Sequence, residues 1–162
     1  MSRTGTGTLP VRPATAADAA ALFALSEPSM DAGELRRRRV ADYRAPRDRF
    51  LLVDGPAGPG GCVALRLLAP EPPAHPAPAL LHNFCVRAGL RGAGLGSQLL
   101  ETLLAEAGRH GVRTLVTAST GDGALFRRYG FEEIPAGLAP RAWAAELDPS
   151  RGSRVYLRTL AG

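Results

Sequence analysis

Not one lysine occurs in the 162 residues; all 20 basic side chains are arginine. A Walker-type phosphate loop, which needs a Lys followed by Ser or Thr after its last glycine, is therefore excluded. Cysteine is nearly absent as well. Cys62 and Cys85 each lie in an apolar stretch and have neither metal-ligand spacing nor a disulfide framework, so both read as buried free thiols. Aromatic residues make up 6% of the chain and do not interleave with the arginines, which removes the stacking platform of a single-strand nucleic-acid binder. Apolar runs such as Ala19–Leu25 fall far short of the ~20 residues of a membrane span. The opening residues Met1–Thr6 hold no apolar signal-peptide region. These absences lead us to expect a cytoplasmic chain with no metal, no nucleic acid and no membrane partner.

What is present is ordinary for a globular fold: 45% hydrophobic and 22% charged residues. The length suits one domain of about 100–200 residues, over residues 10–162 after a Gly/Thr-rich, disordered segment 1–9. The net charge of +5 and pI near 10.2 come from scattered arginines, Arg36–Arg39 excepted. A polyanionic small molecule accounts for that charge as well as nucleic acid does.

The hydropathy pattern predicts a mixed α/β sheet of about seven strands and four helices. Thr15 and Asp18 mark a helix start over Ala19–Leu25, and Glu34–Arg44 reads as a second, charged helix. Phe50–Val53 and Cys62–Leu68 form a hairpin around the Gly/Pro turn 54–61. Prolines 70, 72, 73, 76 and 78 make Ala69–Ala79 a stiff surface loop. Strand Leu80–Val86 runs through the turn Arg87–Gly94 into a helix whose Leu95, Leu99, Leu100, Leu103, Leu104 and Ala107 recur at helical spacing. A strand at Thr114–Thr117, a short helix Gly123–Tyr129, a strand Phe131–Ile134, a helical turn near Trp143 and a last strand Arg154–Leu160 follow.

The chemistry concentrates at Leu90-Arg91-Gly92-Ala93-Gly94-Leu95-Gly96-Ser97, between a strand and a helix. A helix N-terminus offers unpaired N–H groups and a positive dipole end. The glycines let the backbone come close to phosphate oxygens and take positive φ where needed. A dinucleotide fingerprint would need its third glycine one residue later; a turn that merely caps the helix is the plainer alternative.

At these residues the chain resembles the GNAT family of N-acetyltransferases, whose Q/R-x-x-G-x-G/A loop is matched by Arg91–Gly96. The likeness extends to Phe126–Phe131, where the family has its last helix and a Gly-Phe. It implies acetyl-CoA as cosubstrate, with the cradle Arg91, Gly92, Ala93, Gly94, Leu95, Gly96 and Ser97 on the pyrophosphate. Phe84, Cys85 and Val86 would take the pantetheine, and an N–H near Val86 would meet the thioester carbonyl.

A narrower likeness is to the acetyltransferase domain of N-acetylglutamate synthases, carried by Gly33–Phe50, by Leu138-Ala139-Pro140 with Trp143, and by Arg151-Gly152-Ser153-Arg154-Val155. It implies a glutamate-like acceptor and a place in arginine biosynthesis. Arg37 and Arg38 would hold the side-chain carboxylate, Arg151 and Ser153 the α-carboxylate, by bidentate pairing. Asn83 would stand beside the acceptor, where the group commonly has Ser or Cys. His82 stands where the wider family often has a glutamate and is the expected general base; a strand histidine satisfied by backbone is the alternative. Phe126 replaces the family's general-acid tyrosine. A rival enzyme acting on another small amine, a non-catalytic acyl-CoA-binding module, and a homodimer are left open.

Overall fold

In the computed structural model, which describes residues 10–70 and 77–160, seven strands form one mixed sheet with four α-helices against it. The strands are β1 (Val11–Pro13), β2 (Asp48–Gly55), β3 (Gly58–Leu67), β4 (Ala79–Val86), β5 (Thr114–Ser119), β6 (Glu132–Ile134) and β7 (Arg154–Thr159). The helices are α1 (Ala19–Asp31), α2 (Leu95–Arg109), α3 (Ala124–Arg128) and α4 (Arg141–Ala144). Strand order is β1-β2-β3-β4-β5-β7-β6. β1 to β4 pair antiparallel; β4 and β5 are parallel. β7 lies antiparallel between β5 and β6. The segment expected to be disordered, 1–9, and the middle of the proline-rich loop lie outside the described residues; the base of that loop is closed by Leu68 N–H donating to Pro78 O at 2.8 Å.

α2 bears out its periodicity. Leu95, Leu99, Leu100, Leu103 and Ala107 are buried against Leu51, Val53, Val63 and Leu81 of the sheet, each leucine contributing roughly 1.5–3 kcal/mol by its burial. Glu106 at the helix end is held by Arg49 of β2 together with Arg109 and His110, which ties α2 to the sheet. On the opposite face α1 buries Ala19, Leu22 and Leu25 over Phe50, Leu52, Cys62 and Cys85. α1 begins where Thr15 and Asp18 placed it, the Asp18 carboxylate accepting from the Thr15 amide at 2.7 Å. It runs on past Leu25 through Pro28 to Asp31.

The second helix expected over Glu34–Arg44 is replaced by a single 3₁₀ turn, Val40–Arg44. Gly33 takes φ +79° and turns the chain off α1, and the amides of Glu34 and Leu35 both bond back to Ser29 O. Residues 35–39 are thereby laid out without helical repeat, so successive arginines there face different ways.

Candidate active site

Two features of β4 make the site. The first is a bulge. Cys62 of β3 stands opposite Cys85 while Ala64 stands opposite His82, so β4 carries one residue more than its partner. Asn83 absorbs it with φ +50°, the sole non-glycine residue with left-handed backbone among those described; asparagine tolerates that region better than most residues. Its buried side chain accepts from the Tyr43 hydroxyl at 3.1 Å and donates to Ser26 Oγ at 3.0 Å. The second feature is a split. Among the described residues, β4 pairs with β5 only at Ala79–Leu115 and Leu80–Val116. A last link follows from Thr117 Oγ1 to Leu81 O at 2.8 Å. Beyond it the strands part.

The opening holds two adjoining cavities, of about 450 Å³ and about 260 Å³, which share Phe84 and Ser119 in their walls. The larger is lined by Phe84, Cys85 and Val86 of β4, by Arg91 and Gly96, and across from them by Thr120, Gly121 and Leu125. Gly92 and Gly94 take φ +87° and +84°, and a Cβ at either would meet nothing within 4 Å. These two glycines are there for conformation and open approach. Gly96 has no positive φ, and a Cβ there would stand 3.4 Å from Leu125 and 3.5 Å from Phe84, ordinary contact distances, so neither conformation nor packing demands glycine there. Gly94 caps α2 with no side-chain hydrogen bond, which leaves the first-turn amides to a ligand. Ala93 is exposed, Ser97 half-buried, and the Leu95 side chain is buried in the core, so Leu95 offers backbone only. Arg91 reaches Val86 O at 3.4 Å. Because Arg87 N–H donates to Gly60 O, the alternation of an antiparallel ladder turns the Val86 N–H to the other edge, into the split. The thiols of Cys62 and Cys85 lie 3.9 Å apart beneath this wall; the contact with Cys85, together with burial, holds the Cys62 thiol well above its ordinary range.

The smaller cavity is a different kind of place. Arg36, Arg38, Arg66 and Arg151 line it against Glu34 and Glu146, with Trp143 and Phe126 as apolar wall. Asp48 lies beneath, 1% exposed, accepting from Arg66 Nε at 2.6 Å and NH2 at 3.0 Å and from His82 Nε2 at 3.1 Å. Burial pushes the Asp48 carboxyl up, but the hydrogen bonds from His82 and Arg66 outweigh it and hold it below the carboxylate range. His82 Nδ1 lies 2.9 Å from Arg38 NH2. Burial is the main reason that the His82 pKa falls to about 4, with Asp48 opposing; the ring is neutral at pH 7. Burial also lowers Arg38, and its buried Nε–H has no hydrogen-bond partner among the described residues.

The sequence-predicted residues divide. His82, Asn83, Arg38 and Arg151 meet at this cavity, Arg151 donating to Gly33 O and Glu34 O at 3.2 and 3.1 Å. Arg37 does not: it points out to Asp31 at 2.5 Å, because the segment is extended and its neighbours alternate. Ser153 stands outside the walls of both cavities. Asn83 is committed to the α1 side and shapes the strand. Arg36, Arg66 and Asp48 were not foreseen. The available signal was a charge inside an apolar strand, Leu65-Arg66-Leu67.

A bulged, split central sheet with a glycine cradle at the head of a helix is the frame of a coenzyme A-dependent acyltransferase, and comparison with known proteins agrees. The family model of the acetyltransferase (GNAT) domain matches residues 46–133, and the chain belongs to that family. An amino-acid acetyltransferase of Ectopseudomonas mendocina (strain ymp) is 29% identical over 99% of this chain, and one of Pseudomonas fluorescens (strain Pf0-1) is 28% identical over the same share. The chain spans 38% of the length of each. Among solved structures, the N-acetylglutamate synthase of Neisseria gonorrhoeae complexed with coenzyme A and N-acetyl-glutamate superposes with a TM-score of 0.83 at 21% identity, over 98% of this chain and 37% of that one. A Mycobacterium tuberculosis protein in complex with CoA and NLQ gives 0.72 at 18% identity, over 94% of this chain and 99% of its own. At these identities the two structures share the fold.

Proposed function

We infer that the chain transfers an acetyl group from acetyl-CoA to the amine of a small amino acid-like acceptor bearing a carboxylate at its far end, glutamate or a glutamate derivative. The observation that carries this reading is a cavity in which four arginines, Arg38 among them, face two glutamates. An acceptor's carboxylate would meet that excess positive charge, a charge-assisted hydrogen bond contributing about 1.5–3 kcal/mol. Arg66 and Arg36 add charge on the same side, and Arg151 at the rim fits the α-carboxylate. Named relatives that act on amino acids support the class of acceptor.

On the other side of Phe84, the cradle amides and Arg91 take the coenzyme pyrophosphate, and the edge of β4 at Phe84–Val86 takes the pantetheine arm. The acetyl carbonyl then lies beside the Val86 N–H, which stabilises the negative charge that grows as the free amine attacks. The new C–N bond forms as the C–S bond breaks, and the proton released from the nitrogen passes to the departing thiolate or to water. With Phe126 in place of a tyrosine, the thiolate leaves unaided; a thiol pKa of about 8.5 makes it a far better leaving group than an alkoxide. Release of free thiol from acetyl-CoA against a panel of amino acids and amines tests the reading. Glutamate or a close derivative should be turned over most efficiently at low concentration; a simple monoamine as best substrate, or no turnover with any amine, would overturn it.

A further inference from the structure

We propose that Asp48 and His82 form a positioning pair that holds the Arg38 guanidinium in the acceptor cavity, and that His82 takes no proton from the acceptor amine. This rests on the acceptor reading above and gives His82 a role other than the general base expected of it.

A guanidinium can only donate, so the contact with Arg38 NH2 at 2.9 Å makes His82 Nδ1 an acceptor without a proton. The ring proton therefore sits on Nε2 and is donated to Asp48 Oδ1 at 3.1 Å. The tautomer is fixed from behind by a carboxylate, and the carboxylate by Arg66 on its other side. Phe50 packs edge-on to the imidazole at 6.1 Å, and the residue opposite His82 on β3 is the small Ala64, which leaves room for the ring on that face. Both ring nitrogens are thus spoken for. A base in this place would have to take its proton on Nδ1, against a guanidinium, and create two touching cations at a buried site. The low basicity that burial gives the ring agrees. What the arrangement does well is orient: with NH2 pinned to His82, the plane of the Arg38 guanidinium is fixed in the cavity wall.

Full-length protein is assayed with acetyl-CoA and L-glutamate, and the His82 ring nitrogens are read by ¹⁵N NMR. Removing the anchor in His82→Ala should raise KM for glutamate about 10-fold or more and leave kcat within about threefold, with KM for acetyl-CoA unchanged. His82→Gln, whose amide donates to Asp48 and accepts from Arg38, should restore KM. Asp48→Asn should raise KM as His82→Ala does. The NMR spectrum should show a neutral ring protonated on Nε2 at pH 7. If turnover at saturating glutamate instead drops by about 100-fold or more in His82→Gln, with KM unchanged, His82 is the base and the proposal is overturned. A ring protonated on Nδ1, or on both nitrogens, at pH 7 would overturn it too. The spectrum decides the tautomer whatever the acceptor proves to be, so a wrong acceptor and a wrong role for His82 give different results.

Discussion

The two cavities beside Phe84 are built by opposite means. The side proposed for the coenzyme is made chiefly of backbone: two left-handed glycines, the first turn of α2 and the free edge of β4, with Thr120, Gly121 and Leu125 across from them. The acceptor side is made of side chains brought from β2, β3, β4, the segment after α1 and the turn before β7. Their charged groups are oriented by one another, Arg66 on Asp48, Asp48 on His82, His82 on Arg38. The coenzyme side depends on main-chain conformation at Gly92 and Gly94; the acceptor side depends on side chains that hold one another in place.

The sharpest way to break this contrast is a substitution that alters backbone alone. Gly94→Val places a branched residue at φ +84°, a conformation costing about 1–3 kcal/mol, and puts Cβ where phosphate must come. Affinity for CoA by calorimetry should fall roughly 100-fold or more while the far-UV spectrum stays native. Unchanged affinity in a folded variant would mean that the cradle does not bind through its amides.

On the acceptor side the contrast predicts sensitivity to one arginine and indifference to its neighbour. Arg38→Ala should raise KM for glutamate by about 10–150-fold with KM for acetyl-CoA unchanged, and should leave a neutral acceptor little affected. Arg37→Ala, which breaks only an exposed pair with Asp31, should alter KM by less than about twofold. Equal effects of the two would return the whole arginine run to a general surface charge.

A separate expected effect is on stability. The folded chain keeps His82 neutral down to about pH 4, against 6.5 when unfolded. Between those values the unfolded chain binds a proton that the folded chain refuses. Stability is therefore fullest above pH 6.5 and falls toward pH 4, by an amount on the order of 3 kcal/mol. The Asp48 contribution disappears only at lower pH, because its carboxyl is held below the ordinary range, and the Arg38 guanidinium stays charged throughout. Denaturant titrations at about pH 7 and about pH 4.5 should show the loss, and His82→Gln should flatten it.

How much of each region could be read from the sequence follows from how it is made. The cradle is contiguous, so its glycine spacing and the leucine period of α2 were visible together. Arg38 was singled out by likeness, but a helix over Glu34–Arg44 would have kept Arg37 beside it. The hydrogen bonds to Ser29 O are the local cap that ends α1 at Gly33, so the glycine was the available sign that the chain turns away there. Asp48 and Arg66 meet because register sets them opposite each other on β2 and β3. Nothing within either strand announces the other. The placement of β7 between β5 and β6 is likewise a choice of partner, whereas the strands themselves were legible.

The parting of β4 from β5 also bears on how the protein behaves among its own copies. An unpaired strand edge is ordinarily a hazard, a template on which another chain can add a strand and begin to aggregate. Here such an edge lies in the middle of a seven-stranded sheet, between β3 and the receding β5. Side walls at Leu125 and Arg91 flank it, and the strands join again at Leu80–Val116. A whole polypeptide strand would need several residues of straight, unobstructed ladder to pair there. A single flexible arm carrying amides needs far less. Flanked in this way, the edge is more accessible to a slender amide-bearing arm than to a further strand.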